Sequence, residues 1–212
     1  MISRLVKYLF VPLLAIFLVA AKVDDHPVGK VARIEGTAFA MQDAQPRVLA
    51  VGSTIFENDV ISTGRKSRLR LTMIDKGSFT LGEQAMFIVL EYIAKAGQEN
   101  ATARLLSGAV NLVSGTIASA KGGSLRIESE TASIGIRGTM AWGGIIDEVS
   151  QVAYFKGKSV TVENAGGKVE LTRAGYGTRI AGPGVAPSPP KKWGKGKIKR
   201  AAAMTAFSTP TP

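Results

Sequence analysis

Turn residues interrupt this chain too often for it to build long helices over most of its length. Its 24 glycines recur at intervals shorter than an ordinary helix. Between them lie short stretches in which apolar and polar residues alternate. The clearest is Ser67 to Ile74, where Leu69, Leu71 and Met73 fall on one face and Arg68, Arg70 and Thr72 on the other. Asp75-Lys76-Gly77 turns the chain and Ser78 to Gly82 returns it, which predicts a hairpin with one buried face. Val31 to Glu35, Val48 to Gly52, Val60 to Gly64, Met86 to Ala94, Ala103 to Val113, Leu125 to Glu130 and Val152 to Tyr154 continue the pattern. Lys158 to Glu163 and Lys168 to Arg173 predict a last hairpin around Asn164-Ala165-Gly166-Gly167. Beyond residue 21 no window keeps an apolar stripe at i, i+3, i+4 and i+7. The expected fold is all-β, with many short strands in a sandwich, a roll or a short β-helix.

The two ends of the chain are built differently. Met1 to Lys7 holds Arg4 and Lys7 and no acid, Tyr8 to Ala20 is an unbroken apolar run, and Val19-Ala20-Ala21 closes it with small residues. That order is a secretory signal, with cleavage expected after Ala21 and a mature protein outside the cytoplasm, periplasmic or extracellular. The apolar run is shorter than a spanning helix needs. Absence of cysteine excludes disulfides, thiolate nucleophiles and thiolate metal sites. From Gly182 onward the composition shifts to a proline-rich run and then to Lys191, Lys192, Trp193, Lys195, Lys197, Lys199 and Arg200, with no acid as far as Pro212. The formal charge of +11 therefore belongs largely to the tail; residues 22–182 carry about +3. The expected organisation is a signal peptide over 1–21, one domain over 22–182, and an extended, disordered basic tail over 183–212.

Three stretches together resemble the FecR domain family. The first runs from Gly29-Lys30-Val31 through Glu35-Gly36 and Leu49-Ala50-Val51-Gly52 to Asp59-Val60-Ile61-Ser62-Thr63-Gly64. The second is Ser67 to Ile74 with Gly77 and Leu81. The third is Leu106-Ser107-Gly108-Ala109-Val110 followed by Thr131 to Thr139, which ends in Ile136-Arg137-Gly138-Thr139, similar to the family's most characteristic signature. The resemblance covers roughly residues 28–162 and implies an exported all-β domain without catalytic activity or cofactor. The best-understood members of that family span the membrane and pass a signal from an outer-membrane transporter to a cytoplasmic sigma factor. Only seven residues precede the apolar run here, so a stand-alone exported module is expected instead.

Several residues have a candidate functional role and a simpler structural one. Arg137, with Gly138 and Thr139, is a candidate binding element, because a guanidinium between Gly135 and Gly138 can clamp a carboxylate; pairing with Glu128 or Glu130 is the structural alternative. His26 is the single histidine and lies in the short lead, so neither a catalytic triad nor a histidine metal site is expected. Asp24-Asp25, Glu57 with Asp59, and Asp147-Glu148 following a Gly143-Gly144 turn are expected to be solvated loop acids rather than a glycosidase pair. The basic cluster from Lys191 to Arg200 is a candidate contact for anionic polymers or a membrane surface, ahead of nucleic acid, which an exported chain rarely meets. The expected function is binding or scaffolding in the cell envelope, through a protein partner or an envelope polymer. A signal-anchored regulator and a glycan-acting hydrolase are the alternatives.

Overall fold

The computed structural model describes residues 26–208; the expected export signal and the last four residues lie outside them. The described chain forms sixteen strands and one α-helix: β1 (Pro27–Glu35), β2 (Ala38–Gln42), β3 (Gln45–Val48), β4 (Thr54–Phe56), β5 (Val60–Thr63), β6 (Arg68–Met73), β7 (Ser78–Leu81), β8 (Met86–Ile93), β9 (Asn100–Ser107), β10 (Ala109–Val113), β11 (Ser124–Glu128), β12 (Ser133–Ile146), β13 (Val149–Asn164), β14 (Gly167–Leu171), β15 (Tyr176–Ile180), β16 (Lys191–Lys192) and α1 (Lys195–Thr205). The all-β expectation holds, and both predicted hairpins form, as β6–β7 and β13–β14.

All strands belong to one sheet whose main path runs β3-β2-β5-β8-β9-β11-β12-β10-β7-β6-β1-β4. Its two end strands, β3 and β4, are consecutive in the chain, joined by residues 49–53 alone, so the sheet curls until its ends meet. Arg47 of β3 closes the seam by donating from Nη1 to the Thr54 carbonyl (3.1 Å) and by an ion pair with Asp59. Asp59 is fully buried and also accepts the Phe56 N–H (2.8 Å), which corrects its reading as a solvated acid. Across the roll, Phe79 of β7 and Phe87 of β8 pack at 5.1 Å although their strands are not neighbours in the sheet. The arrangement is thus a roll rather than two separate sheets. Leu69, Leu71, Phe79, Leu81, Phe87 and Ile61 fill it, all from alternating positions.

The β12–β13 hairpin is the spine of the fold. Its turn is Asp147-Glu148, with φ of 53° and 60°, both in the left-handed region that a two-residue hairpin turn demands. Gly143 and Gly144, expected to turn the chain, instead lie inside β12. A Cβ on Gly144 would press on Ala109 and on the Trp142 ring, so the glycine is there to let that ring lie flat.

The tail is the largest correction. Residues 183–208 are ordered against the outer face of the roll rather than extended and disordered. The proline-rich run is fastened to β15: Ser188 N–H donates to the Arg179 carbonyl (2.9 Å), and Thr178 Oγ1 donates to the Ser188 carbonyl (2.6 Å). β16 then pairs with β15, Trp193 is buried, and α1 packs across β10 and β12. A second, smaller core results, in which Trp193 and Ala201 meet Trp142, Ala153 and Ala109. The physical reason is a notch of small residues: a side chain at Gly177 would collide with the Trp193 indole.

Candidate functional site

The Arg-Gly-Thr signature sits where the spine changes partners. On one side, β12 passes from β11 (paired through Ile136) to β10 (paired from Met140). On the other, β13 passes from β14 to β15. The strands bulge between Met140 and Ala141, and Gly138 and Gly157 adopt φ of 49° and 123°. A Cβ on Gly157 would collide with the Gly138 carbonyl. Thr139 is buried and staples the corner: its N–H donates to Ser114 Oγ (2.7 Å) and its Oγ1 to the Ser159 carbonyl (3.0 Å). Gly138 and Thr139 therefore build the corner. Arg137 is exposed there, without the expected partner, since Glu128 pairs with Arg104 (2.6 Å).

A second element is only faintly marked in the sequence. Asp75, in the predicted β6–β7 turn, is buried at one end of the roll and gathers three segments. It accepts the Gly77 N–H (2.9 Å), the Ile117 N–H (3.2 Å) and the Tyr92 hydroxyl (2.7 Å). Burial, then the bond to Asp75, pushes the Tyr92 phenol far above its ordinary range, so it stays a donor. This is a structural knot, and the sequence signal for it was the acid two residues before Gly77.

The basic residues of the C-terminal segment are brought together by its docking. Trp193 meets Trp142 edge to face at 5.9 Å, and Lys197 Nζ lies 4.3 Å from the Trp193 ring centre. Beside them Arg179, Lys191, Lys192 and Lys197 line a groove of 630 Å³ with Ser188 and Pro190. Desolvation, followed by repulsion from Arg179, holds Lys197 below the ordinary lysine range. Asp147, the acid that acts on Lys197, is already taken up by a two-pronged bond from Arg200 (2.9 and 3.1 Å), which lowers its own pKa. Lys195 and Lys199 are exposed on α1. No hydrogen bond, ion pair or ring contact joins this cluster to Arg137 among the described residues, so the two candidate elements are separate. Among the described residues no group of three or more His, Asp or Glu is arranged to hold a metal.

Comparison with known proteins agrees with this architecture. Two crystal structures of a candidate anti-sigma factor from Parabacteroides distasonis ATCC 8503, at 2.50 Å and 1.65 Å resolution, share the fold with a TM-score of 0.52 and 12% identity. The match covers 65% of this chain, which spans 61% of the length of that one. No curated protein matches the sequence. The family model for FecR protein matches residues 59–170, from the buried Asp59 to β14, and so takes in the Asp75 knot and the Arg-Gly-Thr corner while leaving β1–β4 and the C-terminal segment outside. Matched over more than half its length, the chain belongs to the FecR protein family.

Proposed function

We infer that this protein is a non-catalytic binding module of the cell envelope, exported as a stand-alone domain, which holds an anionic partner on the face built by its docked C-terminal segment. The observation that carries this reading is the groove in which Arg179, Lys191, Lys192 and Lys197 converge beside Trp193. Four cations held that close repel one another unless an anion sits among them, and a fixed groove gives such an anion a defined seat. Family membership and the likeness to a candidate anti-sigma factor support a partner-binding, regulatory role over chemistry. The partner is an acidic protein segment or an anionic envelope polymer, with peripheral contact to an anionic membrane surface as a further contribution.

The test is sedimentation of purified protein with envelope fractions, alongside Arg179→Glu, Lys191→Glu and Lys192→Glu combined. These side chains are exposed, so the triple variant keeps the fold. Association is expected to fall steeply with salt and to vanish in the triple variant. Salt-insensitive association, or equal association of the variant, would overturn the reading. The fold likeness also favours a second reading, a signal-anchored regulator. Intact-mass analysis separates the two, because a chain beginning at Lys22 is free and a full-length chain in the membrane fraction is anchored.

A further inference from the structure

Beneath α1, on the outward face of the sheet, lies a cavity of 360 Å³. Its floor follows a cross-strand row: Arg70, Thr80, Asn111 and Trp142 are successive register partners on β6, β7, β10 and β12. Met140, Phe155 and Ile198 supply apolar walls, and α1 covers the row with the short side chains of Ala202 and Thr205. Protein interiors are normally filled to crystal density and their polar atoms paired. The pairing rule fails at this place. Trp142 is 1% exposed, yet its indole N–H has no acceptor, and the neighbouring Asn111 Oδ1 is buried without a donor. At the far end the Arg70 guanidinium has no carboxylate partner among the described residues; its centre lies 5.3 Å from the Phe207 ring, and its Nε makes a long bond of 3.4 Å to Thr80 Oγ1.

We propose that this cavity binds a short apolar peptide through its free C-terminal carboxylate. Three strand spacings of about 4.8 Å separate the backbones carrying Arg70 and Trp142, so a ligand reaching both ends must be extended. Arg70 takes the carboxylate, for which its planar fork is suited. Asn111 Oδ1 requires an N–H and the Trp142 indole requires an acceptor; one peptide unit supplies both. A fatty acid supplies the anion but no donor for Asn111. The apolar side chains lie against Met140, Phe155 and Ile198. No residue of this cavity lines the cationic groove, so the proposal stands apart from the function inferred above.

The experiment is a titration of the ¹⁵N-labelled protein with acetyl-Leu-Leu, acetyl-Leu-Leu amide and decanoate, following the two indole N–H resonances. That of Trp142 is assigned by its loss in Trp142→Phe. The free acid is expected to shift the Trp142 resonance saturably, with the amide and decanoate each binding about tenfold more weakly. Arg70→Gln should reduce the acid to the level of the amide. Asn111→Leu should weaken peptide binding while raising the melting temperature of the free protein. An indole resonance unmoved by all three probes, equal binding of acid and amide, or decanoate binding as tightly as the peptide would each overturn the proposal. The comparison of acid with amide uses the unaltered protein and so does not depend on any variant folding.

Discussion

The inside of the roll and the seam beneath the C-terminal segment are both buried, yet they are assembled by different rules. The inner core draws on nearly every strand, through residues that alternate with exposed ones, so each strand contributes by its own pattern. The outer core has six buried members, and it exists only because Trp193 and Ala201 arrive from the far end of the chain. The inner core defines the fold; the outer one adds a surface to it. This division also tracks the family match, which ends at residue 170, before the segment that covers the seam.

The sharpest way to break the comparison is to damage each core in turn. Phe79→Ala should cost about 3–5 kcal/mol, seen as a large drop in the urea midpoint of the whole domain. If the loss is below about 1 kcal/mol, the roll is not packed as described. Gly157→Ala should come next, because it combines a left-handed backbone with overlap on the Gly138 carbonyl; about 1–3 kcal/mol from backbone strain is the minimum expected. Gly138→Ala, at φ 49° and with a Cβ meeting only Ser119 and Lys158 side-chain atoms at ordinary contact distance, should cost clearly less, so the ranking of the two midpoints tests the corner. Trp193→Ala should leave the strand circular dichroism and the domain's urea midpoint nearly intact, while residues 191–200 become open to trypsin. A single cooperative loss in that variant would instead make the outer core part of the domain.

The mildest effect concerns pH. Glu35 accepts bonds from the hydroxyl and N–H of Ser208, and Asp147 those of Arg200; both carboxyls are thereby held below their ordinary range. An undocked segment thus binds more protons than a docked one. The stabilisation is complete above the unfolded carboxylate pKa of about 4 and is lost as pH falls through the lower docked values. Trp193 fluorescence should report undocking on that acid side, with the sheet signal unchanged. Undocking on raising the pH from neutral would contradict the assigned contacts.

What was legible in the sequence follows the same division. Leu69, Leu71 and Met73 announced the β6–β7 hairpin because alternation in a half-buried strand is written in single residues. Ile198, Ala201, Ala202 and Thr205 do form a helical face at i, i+3, i+4 and i+7, but alanine and threonine hide it among lysines. Gly144 read as a turn because its reason is the ring of Trp142, two residues before it. Asp59 reads as a solvated loop acid and Asp75 as a turn residue, since their partners Arg47 and Tyr92 lie 12 and 17 residues away. Of the candidate binding residues, the cations were visible and their convergence was not.

The meeting of β3 and β4 bears on how the protein behaves at high concentration. An open sheet offers its outermost backbone as a template on which further copies can stack into fibrils. Here one open side is turned onto the other, and the Arg47 side chain occupies a carbonyl that a newcomer would need. The roll therefore protects itself from polymerising along its main sheet path, and the replacement of Arg47 by a short apolar residue would remove that protection along with the bond.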